Sequence, residues 1–379
     1  MGRSTLPRRE PELSMQMRAL SVANAEKTAF VLNANARAVT PRLVERLREV
    51  VPHGDLFLSR SLDDAKDIAE TIVRRGYGQV MTGGGDGTLL STVNLLEEHA
   101  ERLGAPMPKV GVLRLGTGNA VAGLMGARDP VVDAHHIVNR GAFSVEKRPL
   151  VVTAEGLRAP FAGIGYDGDV LNDYIRMKNA VKQPLLKALV TTVFGYLISM
   201  LTLSVPRNLF GKKARVRVTS SKDAYKMVQG PGGDVEVRIP AGTLLYEGKA
   251  PVLSVATVPY YGFGFTMFPF AEKKPGFMQL RVCAVSIPGI LVNLWPGVWK
   301  GTFRHPDLHD FLVEDAVVEG DLPLAYQVGG DALGTRDRLE FRLSDAPIEM
   351  IRLADARLAP PAHGVTGLLR GLLAGPAAR

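Results

Sequence analysis

The chain has 379 residues, of which 46% are hydrophobic and 22% charged. That length suits two domains, and the balance excludes wholesale disorder, a fibrous repeat and a polytopic membrane protein. Lys and Arg outnumber Asp and Glu by 46 to 38, a net +8 that favours anionic partners such as nucleotide phosphates or lipid headgroups.

One cysteine, Cys283, cannot form an internal disulfide, and no Cys/His cluster has zinc-ligand spacing, so a reducing, cytoplasmic setting is expected. The first residues, MGRSTLPRREPELS, carry basic side chains without an apolar core, and Leu6 stands where a myristoylation signal has Ser or Thr. No export or lipidation signal is expected.

From Thr28 onward, short apolar runs alternate with helical periodicity: AFVLN, then Leu43/Leu47/Val50; DLFL, then Leu62/Ala65/Ile68/Ile72; QVMT, then Leu89/Val93/Leu96; KVGVLRL, then NAVAGLM. Strand followed by helix, repeated, predicts a parallel sheet wrapped by helices. The second half alternates or runs apolar between Gly/Pro turns in KRPLVVTA, ARVRVTS, DVEVRIP, PVLSVATV, MQLRVCAV and RLEFRL, the pattern of an antiparallel β-sandwich. The expected fold is therefore α/β: an N-terminal parallel-sheet domain over residues 25–145, with 345–360 returning to it, and a C-terminal antiparallel domain over 146–344.

A helical insertion interrupts the second domain. Between Tyr174 and Lys222 stand ten Lys or Arg residues and no acid. Residues 188–205 form an uncharged run, diluted by Thr191, Thr192, Ser199, Thr202 and Ser204, which fits a buried or membrane-facing helix better than a span. The segment IPGILVNLWPGVWK, residues 287–300, has the composition of an interfacial anchor and equally of a core segment.

The sharpest motif is GGGDGT, residues 83–88, directly after the strand QVMT and directly before an amphipathic helix. Consecutive glycines let backbone approach a ligand, and a helix N-terminus aims N–H groups and a positive dipole at it, which suits polyphosphate. Asp86 beside bound phosphates helps by handling Mg²⁺ or by taking a proton from an attacking hydroxyl. The plainer reading is an Asp-Gly turn with Asp86 capping its helix. A second turn of this kind, LGTGN at residues 115–119, follows KVGVLRL. Both turns, with Asn33 after AFVL, would lie at the carboxyl ends of parallel strands, where α/β sheets bind ligands.

These residues resemble the diacylglycerol kinase and sphingosine kinase catalytic fold. The likeness runs from Asn33 in VLNANA, through Ser59 where many members have Thr, GGGDGT and LGTGN, into FAGIGYDGDV, VPYYGFGFTMFPFA and QVGGDALG. It implies an ATP-dependent lipid kinase using Mg²⁺. Asn33, Ser59, Gly84, Gly85, Asp86, Gly87, Thr88, Thr117 and Asn119 would face the nucleotide. Asp167, Tyr260 and Gly262 would face the lipid acceptor. Asp86 and Asp331 would be the catalytic acids, with Gly330 on the glycine of the family's last motif and Asp331 on its glutamate. Two departures stand out: Gly329 replaces an Asp of that motif, and AEKKPGF replaces the acidic loop by which some bacterial members hold a structural Mg²⁺. No metal ligands are assigned.

Other motifs carry less. GIGYDG is literally G-x-G-x-x-G but lacks the acid expected about 20 residues later. No P-loop, H-E-x-x-H or G-x-S-x-G is present. His135–His136 and His305/His309 read as surface or helix-face residues. The expected partners are a lipid substrate and an anionic membrane surface at the inner face of the membrane, bound peripherally, with a homodimer admitted and nucleic acid excluded. Rival readings are an NAD kinase-like enzyme, which shares GGDGT, and a catalytically idle member, kept open by Gly329.

Overall fold

The computed structural model describes residues 27–116, 120–139, 143–165, 177, 214–262, 265–293 and 297–353. The chain divides into two compact units, one of Met1–Arg148 with Ile348–Arg379 and one of Pro149–Pro347.

In the first unit, β1 (Thr28–Asn33), α1 (Pro41–Val50), β2 (Leu56–Ser59), α2 (Leu62–Arg74), β3 (Gln79–Gly84), α3 (Asp86–Leu103) and β4 (Lys109–Arg114) alternate along the chain. The short helices α4 (Ala120–Leu124) and α5 (Pro130–Val138) and the strand β5 (Phe143–Arg148) follow. Strands β1 to β4 are parallel, in the spatial order β2-β1-β3-β4. The interiors of β1, β3 and β4 are continuously buried, because crossover helices cover a parallel sheet on both faces. Phe30, Leu32, Met81, Leu96 and Leu113 fill this core.

Helix starts are written locally. Thr40 caps α1 by accepting from the Leu43 N–H, Ser61 caps α2 through Asp64, and Asp129 caps α5 through Val131 and Val132. Pro41 and Pro130 occupy first-turn positions, where no N–H is required. Helix α3 begins differently: its cap is Gly85, which has no side chain to offer.

The sheet is completed from the far end of the sequence. A strand at Ile348–Leu353 pairs parallel with β4 and antiparallel with β5. The Leu353 N–H donates to the Met125 carbonyl at 3.0 Å, and Arg352 joins Glu146 of β5 in a charge-assisted bond.

The second unit is antiparallel. Its strands are β6 (Val151–Thr153), β7 (Arg158–Ala159), β8 (Phe161–Gly165), β9 (Arg215–Thr219), β10 (Ala224–Gly230), β11 (Gly233–Ile239), β12 (Leu244–Lys249), β13 (Val252–Ala256), β14 (Tyr260–Gly262), β15 (Phe265–Thr266), β16 (Met278–Cys283), β17 (Leu308–Val313), β18 (Asp315–Val328) and β19 (Asp331–Leu343). A short helix, α6 (Ile287–Asn293), lies between β16 and β17, and the returning strand of the first unit is β20. The strands of this unit all join one twelve-stranded network except β14–β15, which pair with each other. The network forks at β18, whose first half pairs with β9 and whose second half pairs with β8, with a register shift between Glu319 and Leu324.

At the heart of this sheet, Arg281 of β16 donates to both carboxylate oxygens of Asp310 on β17, at 2.7 and 2.9 Å. Gln279 donates to the same carboxylate and accepts the Phe270 N–H, each at 2.7 Å. Both charged groups are buried, and this bidentate pair is what makes their burial tolerable. The insertion's residues 188–205 lie outside the described residues, as do Thr117, Asn119 and Asp167.

Candidate active site

The first unit gathers its polar residues at the carboxyl edge of the sheet. Parallel pairing puts the last residues of β1 and β2 side by side, Asn33 opposite Ser59. Leu32 stands opposite Gly83, and Gly84 opposite Arg114. The loops leaving β1, β2, β3 and β4 therefore emerge together.

Asn33 ties two of these loops. Its Nδ2 donates to Thr88 Oγ1 in the first turn of α3 at 3.1 Å, while its Oδ1 accepts the Asn35 N–H at 2.9 Å. Asn35 in turn donates to the Arg60 carbonyl just past β2, at 2.8 Å. Ser59 is buried beneath this turn.

The glycines are required by space. A Cβ on Gly84 would lie 2.3 Å from Thr88 Oγ1, and one on Gly116 would lie 2.3 Å from the Gly85 Cα and 2.8 Å from the Gly84 carbonyl oxygen. The two glycine turns thus meet backbone against backbone. Asp86 opens α3, and its Oδ1 accepts the Val121 N–H of α4 at 3.3 Å, so its carboxylate reaches across to the second turn. That cross-link, and the Gly85–Gly116 approach, are what the sequence motifs alone did not reveal.

In the second unit, Asp331 follows a two-residue turn. Gly329 and Gly330 have φ of 59° and 91°, and Val328 pairs with Asp331, the signature of a type I′ hairpin. Gln327, fully buried, accepts the Gly330 N–H at 2.9 Å, and the Gly329 N–H donates to the Phe161 carbonyl at 2.9 Å. Asp331 is reached by solvent, yet the protein packed around its carboxyl raises its pKa above the ordinary aspartate value. Phe161 pairs with Ala256, four residues before Tyr260, so the Asp331 hairpin and the segment entering β14 share one end of β8. Tyr260 pairs with Thr266, and Gly262 with Phe265.

The loop AEKKPGF, which the sequence sets in place of an acidic loop, engages its cations within the chain. Lys274 pairs with Glu236 at 2.9 Å over the Tyr225 ring, and Lys273 donates to the Asp234 carbonyl at 3.1 Å. Among the described residues no three His, Cys, Asp or Glu side chains gather to hold a metal ion.

An open parallel sheet with two glycine turns meeting at its carboxyl edge, one feeding a long helix, is the layout in which α/β folds place their ligands. Residues 28–146 match the family model of the diacylglycerol kinase catalytic domain. Over that stretch the chain is similar to the diacylglycerol kinase catalytic domain.

A diacylglycerol kinase of Staphylococcus epidermidis is 30% identical over 106 residues, and the match spans 26% of this chain and 32% of the relative's length. A solved diacylglycerol kinase structure from Bacillus anthracis str. Sterne superposes with a TM-score of 0.56 at 16% identity, covering 87% of this chain and 98% of that one. A second solved structure from that organism gives 0.57 at 17% identity, covering 86% and 97%. These likenesses establish the fold across both units.

Proposed function

We propose that this protein is an ATP-dependent lipid kinase that phosphorylates a hydroxyl of a diacylglycerol-like or sphingoid-like lipid. The observation that carries the reading is the apposition of the two glycine turns, Gly84–Gly85 against Gly116, with Asp86 between them, inside the stretch that matches a kinase family. Glycines packed this closely bring the two turns together at the carboxyl edge of the sheet, and a long helix starting there without a side-chain cap leaves its positive end for phosphate oxygens.

ATP, when bound, supplies the phosphoryl group. Asn33 and Thr88 hold the rim of the cradle, and Ser59 backs it. Asp86 holds the two turns in register through Val121, and beside the phosphates it would handle the nucleotide's Mg²⁺ or take the proton of the attacking hydroxyl. Asp331, whose carboxyl is pushed above the ordinary aspartate value by the protein packed around it, is the second candidate for the proton acceptor beside Asp86. Mg²⁺, when bound with the nucleotide, would neutralise the charge of its phosphates.

A lipid acceptor implies contact with a membrane surface, and the basic insertion with residues 287–300 is the proposed region of contact. Among the described residues no helix is long and apolar enough to cross a membrane. Val292 of α6 is 78% exposed, whereas Trp299 stacks on Phe265 at 5.5 Å, so this segment offers its helix outward and keeps that Trp packed.

The test is phosphate transfer. Purified protein with labelled ATP, Mg²⁺ and a mixed lipid extract should yield a labelled lipid, and Asp86→Asn, which keeps an oxygen for Val121, should lower kcat by about a hundredfold or more. Label appearing on NAD instead would favour the NAD kinase-like reading. No transfer to either acceptor would favour the idle reading.

A further inference from the structure

We propose that Arg114 is a further phosphate-binding residue of the cradle, its guanidinium holding the outer phosphates of ATP; the assignment rests on the ATP reading above. Arg114 closes β4 at the carboxyl edge of the sheet, in register beside Gly84. Its neighbours in the chain, Leu113 and Leu115, are buried, whereas Arg114 is exposed. Among the described residues its guanidinium takes part in no hydrogen bond or ion pair. The fold therefore makes no use of this charge.

The register fixes the face on which the side chain leaves. Residues side by side on parallel strands present their side chains to the same face of the sheet. Ser59 stands opposite Asn33, Leu32 opposite Gly83, and Gly84 opposite Arg114. Ser59, Asn33, Gly84 and Arg114 thus form one row across four strand ends. Two observations identify the face of that row. Asn33 Nδ2 reaches Thr88 Oγ1 at 3.1 Å, and a Cβ on Gly84 would lie 2.3 Å from the same oxygen. Arg114 therefore leaves β4 on the face where α3 begins.

Its place in the row selects the phosphates. Asn33 and Ser59 occupy the end of the row at β1 and β2. Asp86 reaches the other way, to Val121 of α4, the helix that follows β4. Gly116, two residues beyond Arg114, lies against Gly85, the residue before Asp86. Arg114 stands at the end of the cradle where Asp86 acts, which is the end that the transferred phosphoryl group has to occupy.

Arginine suits that place. Its planar fork binds two phosphate oxygens at once, it stays charged throughout the working pH range, and its charge offsets that of the phosphoryl oxygens during transfer. The guanidinium gives up no proton and forms no covalent bond. The phosphoryl group still passes from ATP to the lipid hydroxyl, and the hydroxyl proton still goes to a carboxylate.

Titration calorimetry with Mg²⁺ and either AMP or the non-hydrolysable β,γ-imido analogue of ATP separates contact with the outer phosphates from contact with the nucleoside. Arg114→Ala should bind the analogue about tenfold or more weakly than wild type, bind AMP equally, and lower kcat in the labelled-lipid assay by about a hundredfold or more, with Tm unchanged. Arg114→Lys should keep part of the affinity, since a charge remains, and recover little of kcat, since the fork is gone. Lys109→Ala, which removes a cation from the amino end of the same strand, controls for net charge and should match wild type throughout. An analogue affinity or a kcat for Arg114→Ala within about twofold of wild type, or an equal loss of affinity for AMP, would overturn the assignment and leave the ATP reading in place. A wild type that binds no ATP analogue would remove that reading, and the role of Arg114 with it.

Discussion

Gly116→Ala is the sharpest test of the cradle. A Cβ there would stand 2.3 Å from the Gly85 Cα, 2.8 Å from the Gly84 carbonyl oxygen and 3.0 Å from the Gly85 nitrogen. All three are backbone atoms, so no side chain can swing aside. Reaching the 3.4 Å of ordinary contact requires the turns to part by about 1.1 Å, the difference between 3.4 and 2.3 Å. Overpacking of that kind costs about 1–3 kcal/mol. A displacement of about an ångström in a group that positions phosphate costs much more in function than in stability, about a hundredfold in rate.

Gly123→Ala is the matched control, since nothing lies within 4 Å of its would-be Cβ in α4 and a helix favours Ala over Gly by up to about 1 kcal/mol. Urea unfolding followed by circular dichroism measures stability, and titration with a fluorescent ATP analogue measures the cradle. Gly116→Ala should lose both stability and nucleotide affinity, and Gly123→Ala neither. If Gly116→Ala matches wild type in both, within about 0.5 kcal/mol and about twofold in affinity, the apposition of the turns does not form the binding surface.

Three further outcomes are expected. Asp331→Ala should cripple turnover and Asp331→Glu should be tolerated, and the acidic limb of the wild-type kcat profile should sit above the ordinary aspartate range, because activity is lost as a raised pKa is crossed on the way down; a wild-type-like Asp331→Ala would remove this residue from the mechanism. Asp310→Ala should destabilise the second unit by about 3–5 kcal/mol in urea unfolding, since it strands a buried Arg281 guanidinium, and a loss below about 1 kcal/mol would mean that water reaches the pair. For Glu146, burial works against the charged form but Arg352 and Arg148 outweigh it and hold its pKa below the ordinary glutamate value. Glu146→Gln should therefore cost about 1–2 kcal/mol at pH 7, with the difference from wild type shrinking as pH falls through the lowered value; a difference independent of pH would contradict the ion pair.

Much of the first unit was legible in the sequence because its determinants are local. Apolar runs of four to six residues, each followed by a helical stripe, specify strand and helix before any long-range contact forms. Caps at Thr40, Ser61 and Asp129 and the glycine run before α3 mark boundaries in the same local way. The placement of GGGDGT between a strand and a helix was readable for that reason.

The strands β10, β12, β17 and β18 were not readable, and their reasons are non-local. Strand β17 carries Asp310 in an otherwise apolar run, a residue acceptable in a buried strand only because Arg281 sits on its neighbour. Strand β18 contains Gly320, Asp321 and Pro323, which read as a turn; the fold absorbs them in a register shift where the sheet forks. The composition by itself determined two domains' worth of core and a net positive charge, and the local pattern determined a glycine-rich turn from strand to helix. Only the tertiary structure decided that Gly116 presses on Gly85, that Asp86 reaches Val121, and that β11 ends its sheet with valines outward. Each of these depends on which strand lies beside which, and pairing between residues distant in the chain is set by the packing of the whole sheet.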